Sequence, residues 1–400
     1  MDKSFWFFKN AKQAIFYVMV ALMIVGCINV FSASYIKAFD ESGDSFAFLK
    51  RYILFAIISV GAMVGTRKIG YKRLLQPETL FTIYMSVAFM LMAVFLFSDI
   101  NGAHRWIKLP FINIQPSEIA KLVMIMISAS SLGNMLKHGS RISLTGGRSV
   151  KIICLTLIYF ALIYFEPDLG TAAIVMGLVL GMFIIAGLPK EEIVAMMGLA
   201  AVAGVALAFG TEYRRARMAV LRDPWSDAMG SGYQMVQSQL AIGSGGLFGT
   251  RWGQGTGKFF YLPEAHTDFA FAIFSQENGY IGVILLFIAF VILGAACARI
   301  AVRAQDEQGF LLVSGVSFLV VGQALANMIM VGGMLPVIGV PLTFISYGGS
   351  SMLISMVGIG LLLSVYDEEV KREKRAELTK EVPENLRHEL QFTSSGRWKR

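Results

Sequence analysis

Charged side chains are scarce in this sequence. Asp, Glu, Lys and Arg make up 16% of its 400 residues, against about 25% in soluble globular chains, which excludes an ordinary solvated surface. Cysteine is rarer still. Cys27, Cys154 and Cys297 lie far apart, each within an apolar run, leaving no disulfide framework and no zinc-ligand spacing. They read as small buried hydrophobes. The chain shows no internal repeat and no soluble domain. Nucleotide-binding signatures are missing too. The run "GSGGLFGTRWGQGTGK" (243–258) is glycine-rich, but Trp252 stands where a Walker loop needs glycine and Phe259 where it needs Ser or Thr. No Gly-x-Gly-x-x-Gly follows a strand, and no basic module interleaved with aromatics points to nucleic acid.

What is abundant is apolar surface: 56% of residues are hydrophobic and the mean hydropathy is +0.62. Apolar runs of roughly twenty residues recur, the length that crosses about 30 Å of hydrocarbon as a helix. The expected fold is therefore all-α, a polytopic integral membrane protein with about ten transmembrane helices. The runs fall at 14–34, 52–66, 80–97, 117–136, 152–165, 171–188, 193–209, 269–298, 310–332 and 351–365. The second and fifth are short and expected to tilt little, whereas 269–298 is long enough to tilt or to extend beyond the bilayer. The first run exceeds the apolar core of a secretory signal and reads as an uncleaved helix. Lys and Arg gather in alternate loops (Lys9 and Lys12; Arg67, Lys68, Lys72 and Arg73; Arg141 and Arg148; Arg299 and Arg303), which places both termini in the cytoplasm. The net charge of +8 is mostly this bias. Residues 1–366 form the membrane domain, with 210–267 as a large extracytoplasmic loop. Residues 367–400 form a charged cytoplasmic tail, read as a fraying helix with a disordered end.

The polar residues that remain are concentrated on the outer side. Loop 210–267 carries Arg214, Arg215, Arg217 and Arg222 against the orientation bias; an anion at the outer surface or lipid headgroups would explain them. Its tryptophan, tyrosine and small residues argue for order, and its glycines for tight turns and close helix approach. In "NGAHRWIKLPFINIQPSEIAKL" (101–122), Pro116 and Ser117 mark a helix start, one by lying in the first turn or the other by capping. Glu118 and Lys121 then share a helix face just inside the membrane, either as a compensating structural pair or as functional charges. Glu166-Pro167-Asp168 is either a helix-breaking turn or a third acidic intrusion. The uncharged loop "GGMLPVIGVPLTFISYGGSS" (332–351) reads as a re-entrant segment; Ser346, Tyr347 and the amides of Gly348 and Gly349 line a cavity there, unless it is a plain apolar plug. Asp268 stands at the lip of the run that follows loop 210–267.

Four stretches, "NGAHRWI…QPSEIAK", "EPDLGTA", "YLPEAHTDFAF…ENGYIG" and "LPVIGVPLTFISYGGSS", occur in this order on these loops. Together they resemble the SEDS family of cell-wall glycan polymerases, whose members include FtsW, RodA and SpoVE, with "DPW…GSGYQ" and "YLPEAHTDF" nearer the FtsW and SpoVE branch. The resemblance covers the chain to about residue 366. It implies a peptidoglycan glycosyltransferase acting on lipid II at the outer face of the bacterial cytoplasmic membrane, in division or sporulation. Its partners would be a class B penicillin-binding protein and other divisome or elongasome proteins. In that family the acid of "HTDF" is the essential one, here Asp268; Glu118, Lys121 and Arg105 match further motif positions. Two positions depart from the pattern: Gln276-Glu277 replaces a pair of acids, and Thr343 replaces a proline. The chemistry needs a base for a sugar hydroxyl and charge stabilisation for a departing pyrophosphate. Asp268 suits the first role. Arg105, Lys108, Arg214, Arg215, Arg217 and Lys258 suit the second, with Glu264 and His266 as positioning groups or contacts for a divalent Mg or Mn ion, and Glu118, Lys121 and Ser346 as further substrate-binding residues. A lipid II flippase, a RodA-type elongation polymerase and a non-catalytic divisome scaffold are the alternatives.

Overall fold

The computed structural model describes residues 8, 10–97, 104–108, 113–259, 262–381, 391–392 and 398–399, leaving out the side chains of residues 213, 214, 378–381, 391–392 and 398–399. Local caps start and stop the helices. The Asn10 side chain accepts the Gln13 amide at 2.9 Å to begin α1 (Ala11–Ser42), which ends at Gly43 with φ 71°. Then come α2 (Ala47–Ile69), α3 (Tyr71–Leu74), α4 (Pro77–Ala93) and α5 (Pro116–Lys137). Pro77 and Pro116 both occupy first turns, where a missing N–H breaks no bond. A two-residue hairpin between α4 and α5 sets Ile107 (β1, Ile107–Lys108) opposite Ile114 (β2, Asn113–Ile114).

Next are α6 (Gly147–Phe165), α7 (Leu169–Ile185), α8 (Lys190–Ala208), α9 (Glu212–Arg222) and α10 (Tyr233–Ser244). The chain closes with α11 (Ala270–Arg303), α12 (Glu307–Ser317), a π-helical turn at Phe318–Gly322, α13 (Gln323–Val331) and α14 (Gly349–Glu381). Among the described residues, nine helices are long and apolar enough to cross a membrane, and α7 is a shorter apolar helix. The chain is a multi-pass helical membrane protein. α5 and α14 are buried over most of their length and form the centre; α5 packs on α12 and α7, and α14 on α2. α8 has no buried residue and is apolar around most of its circumference, a helix largely exposed to lipid that touches the core through Ile193 and Met196.

Several expectations need correction. The spans expected to be short are not: 52–66 and 152–165 lie inside helices of 23 and 19 residues, and the short span is α7, at 17. The span expected to tilt or protrude is instead broken. Gly279 has φ 64° and ψ −168°, which divides α11 into residues 270–278 and 280–303. Every residue from Phe269 to Glu277 is buried, so the first piece belongs to the protein core rather than to the lipid surface. Only one cysteine is a buried hydrophobe: Cys297 is buried, Cys27 partly so, and Cys154 is exposed. Loop 210–267 contains α9, a short 3-10 turn and α10, whose Ser238 hydroxyl donates to the Val331 carbonyl at 2.8 Å. Its glycines allow close approach. A Cβ on Gly249 (φ 77°) would lie 2.1 Å from the Glu277 carbonyl oxygen. Loop 332–348 is irregular yet has Val340, Leu342, Phe344 and Ile345 buried, which protein contacts permit. The helix expected to fray after 366 continues as α14; residues 382–390 lie outside the described residues.

Candidate active site

Asp268 lies two residues before the buried half of α11, its backbone held by a side-chain contact. Its own carbonyl accepts the Asn327 amide at 2.8 Å, and the same amide group donates to the Val340 carbonyl at 2.6 Å. Asn327 thus fastens the catalytic-loop candidate to α13 and to loop 332–348. Gly339, at φ 68°, passes so close that a Cβ there would lie 3.6 Å from Asp268 Oδ2. Among the described residues the Asp268 carboxylate has no hydrogen-bond or ion-pair partner. The side chain is partly exposed but protein surrounds nearly all of it, and desolvation pushes its pKa up to about 7, with Glu264 and Asp168 adding repulsion and Arg105 opposing.

The surrounding charges are already matched. Arg105 lies 3.9 Å from Asp168 and donates to the carbonyls of Glu166 and Pro167. Asp168 caps α7 by accepting the Thr171 amide at 3.1 Å and its hydroxyl at 2.9 Å, so Glu166-Pro167-Asp168 forms the turn between α6 and α7. Glu166 is fully buried, and neither of its carboxyl oxygens has a partner among the described residues. Desolvation, with Asp168 nearby, raises it to about 9, so it is neutral at pH 7. Deeper in, Lys121 donates to Glu118 and to Gln323 Oε1, both at 2.6 Å, and Lys121 has no exposed surface. Gln323 Nε2 donates in turn to Ser351 at 3.0 Å.

The remaining residues sort by distance from this group. Glu264 accepts the Thr267 hydroxyl at 2.7 Å and is near enough to Asp268 to act on it. His266 is buried against Phe48 and near Tyr347, with ring centroids 4.8 and 5.9 Å away; burial first, then Lys37, lower it to about 4, which keeps it neutral. Ser346 closes a turn, its hydroxyl accepting the Leu342 amide at 2.9 Å. Lys108 is exposed on the hairpin and Arg215 on α9; Arg217 donates to the Val337 carbonyl at 2.7 Å, joining α9 to loop 332–348. The Arg214 side chain lies outside the described residues. Lys258 sits elsewhere, in a second buried cluster. It donates to Glu277 at 2.6 Å and to Ser32 at 3.0 Å, beneath the Tyr35 ring. That cluster pins the glycine-rich segment to α1 and α11.

Gln276, where the family pattern has an acid, is buried beside it. Its carbonyl accepts the Gly257 amide at 3.0 Å and its amide donates to Ser244 and Thr256. An amide supplies both a donor and an acceptor there; a carboxylate would supply only acceptors. Thr343, at the other departure, donates to the Val320 carbonyl at 3.1 Å, within the π-helical turn. Sequence reading missed Gln323 and Asn327. The signal was present: two amides four residues apart in an apolar run, hence on one helix face. As for a divalent ion, no group of three His, Cys, Asp or Glu that would hold one occurs among the described residues. The donors around Asp268 do not form a metal cage.

Comparison with known proteins gives this geometry its relatives. The chain is 36% identical over 359 residues to the probable peptidoglycan glycosyltransferase FtsW of Geobacter sp. (strain M18), covering 87% of this chain and 96% of that one. It is 37% identical over 355 residues to the stage V sporulation protein E of Bacillus subtilis (strain 168), covering 87% and 94%. Its fold is similar to that of a chain in a peptidoglycan synthase complex whose structure addresses coordination of polymerization and crosslinking, at TM-score 0.73 and 25% identity over 89% of this chain and 97% of that one. It is also similar to the Thermus thermophilus rod shape determining protein RodA, at TM-score 0.64 and 25% identity, over 89% and 96%. Residues 12–371 match the cell cycle protein family of FtsW, RodA and SpoVE, and the chain belongs to that family.

Proposed function

We propose that this peptidoglycan glycosyltransferase polymerises lipid II, with Asp268 as the general base. The carrying observation is a carboxyl that has no partner among the described residues, is desolvated to a pKa of about 7, and stands beside two ion pairs, Arg105–Asp168 and Lys121–Glu118, that neutralise themselves. In the reaction a sugar hydroxyl of one lipid-linked disaccharide attacks the anomeric carbon of another. The new C–O bond forms as the bond to the lipid pyrophosphate breaks, and the hydroxyl proton passes to Asp268. Arg105, partly exposed beside Asp168, is the cation nearest in role to the departing pyrophosphate, and its planar fork suits phosphate oxygens. Arg215 and Lys108 are exposed cations on the same loops.

The loop charges support a site at the outer face of the cytoplasmic membrane, with both termini inside. Residues 1–366 are then the membrane domain, 210–267 its outer loop and 367–400 the cytoplasmic tail. A class B penicillin-binding protein is the partner we expect, on the strength of the fold shared with a chain of a synthase complex. The break at Gly279 and the π-helical turn favour one rival, a flippase, because transporters place substrate at broken helices. Purified protein incubated with lipid II, alone and with the transpeptidase, separates the two. The wild type is expected to make glycan strands and Asp268→Asn at least ~100-fold fewer, while both bind lipid II. Near-normal polymerisation by the Asn variant overturns the role of Asp268. Lipid translocation without strands from the wild type supports the flippase.

A further inference from the structure

At the end of the bundle reached by the C-terminus of α2, a cavity of about 650 Å³ opens between α2, α3 and α14. Its lining includes the cations Arg67, Lys68, Lys72, Arg73 and Lys371, against two carboxylates, Asp367 and Glu368. Both carboxylates are engaged. Asp367 takes Arg67 in a two-pronged pair at 2.6 and 2.9 Å, with Lys12 at 3.6 Å. Glu368 is shared by Lys371 at 2.8 Å and Lys72 at 3.8 Å. Lys68 and Arg73 are exposed, and neither has an acidic partner among the described residues. The cavity therefore carries an excess of positive charge that the described residues do not neutralise.

The other half of the lining is apolar and faces outward. Val64 is 40% exposed and continues the exposed apolar face that α2 presents through Ile53, Ile57 and Val60, and Ile69, the last residue of α2, is 48% exposed on another side of the helix. Positive charge at one end of a lipid-facing stripe is the arrangement that receives an anionic headgroup with its acyl chains still in the membrane. A soluble anion would use the cations and have no use for Val64 and Ile69. We propose that this cavity is a binding site for an anionic phospholipid, its phosphate held by Lys68 and Arg73 and its chains lying along α2. The site is separate from the Asp268 group, and it straddles α2 and α14, the helix pair with the most extensive contact. A bound lipid would therefore brace that pair.

The test uses the full-length protein in a neutral detergent, titrated with phosphatidylglycerol or with phosphatidylcholine of identical chains, with retained lipid counted by native mass spectrometry. Phosphatidylglycerol is expected to be retained preferentially and to raise the melting temperature. The Lys68→Gln/Arg73→Gln double variant is expected to lose roughly 30-fold of that affinity, the effect of two interfacial cations. Lys68→Arg/Arg73→Lys, which keeps both charges, should retain it. Equal retention of the two lipids, or an undiminished preference in the Gln variant, overturns the proposal. So does displacement of phosphatidylglycerol by an equal concentration of inorganic phosphate, which would make the ligand a soluble anion. Both residues are exposed, so the Gln variant should fold; if it does not, the charge-keeping variant and the two-lipid comparison decide.

Discussion

Replacing Lys121 by methionine should damage the protein more than replacing Glu118 and Lys121 together. Lys121 is fully buried and its ammonium holds Glu118 Oε1 and Gln323 Oε1, both at 2.6 Å. Lys121→Met leaves a carboxylate that is 3% exposed without its counter-charge, a change that costs about 3–5 kcal/mol. Gln323 also loses a charged donor, worth about 1–3 kcal/mol on its own, although the two losses share one network and will not add. The lower figure alone shifts a folding equilibrium more than about 100-fold. Glu118→Gln/Lys121→Met removes both charges and keeps the volume, so much of the deficit should return, because an uncharged pair needs no desolvated ion. The assay is a double-mutant cycle read by thermal unfolding in detergent, with size-exclusion profiles as the folding control. The reasoning fails if both single variants melt with the wild type, or if the double variant is no more stable than the worse single one.

Polymerisation should rise as pH climbs through about 7, because Asp268 must lose its proton to act as base, and a rate–pH profile on lipid II with no inflection there removes it from that role. The same raised pKa gives a stability sign. The folded state prefers protonated Asp268, so its contribution is present at low pH and lost as pH rises through about 7; above that, Asp268→Asn should melt higher than the wild type while polymerising less. Lys258→Met leaves Glu277, 2% exposed, without its counter-charge, although the Ser32 hydroxyl and the Gly253 amide still donate to it; the change should cost about 3–5 kcal/mol while exposing segment 243–258 to protease, and an unchanged digestion pattern would show that the cluster does not hold the loop. A cysteine placed at Trp225, 55% exposed, should react with an impermeant maleimide from outside the cell, and labelling only from inside would invert the topology.

The sequence made the membrane architecture plain because each span carries its own signal: an apolar run records its length without reference to the rest of the chain. What it hid were breaks inside runs. Gly279 and the π-helical turn at Phe318–Gly322 are flanked by apolar residues on both sides, so hydropathy passes straight over them. A motif marks Asp268 as the candidate base, and Glu118 with Lys121 stand out because three residues separate them on one helix. Lys258 shows the limit. Its partner Glu277 lies 19 residues away across the glycine-rich segment, and Ser32 lies 226 away, so nothing local distinguishes a buried latch from a substrate cation. Asn327 and Gln323 were visible as amides, but their tasks depend on Asp268, Val340 and Lys121, which only the fold brings to them.

The arrangement around Asp268 answers a conflict in the chemistry. An ordinary carboxylate, far below neutral pH in its pKa, is fully ionised but a feeble base toward a sugar hydroxyl, while a fully desolvated one is strong but rarely ionised. A value of about 7 lies between, and the structure shows how it is held there. Glu166 is neutral, Arg105 faces Asp168, and Lys121 faces Glu118, so the surrounding groups neither saturate Asp268 with positive charge nor flood it with negative charge. Desolvation is then left as the main cause of the shift, with Glu264 next. Arg105 must remain close to Asp168 for this balance, yet a leaving pyrophosphate would draw the same guanidinium away. As that happens the opposing cation is lost from Asp268, which raises its proton affinity when the proton arrives. The roles proposed for Asp268 and Arg105 thus predict a coupling of leaving-group binding to base strength through the Arg105–Asp168 contact, and Arg105→Lys, which keeps the charge but loses the fork, should weaken polymerisation and move its pH dependence together.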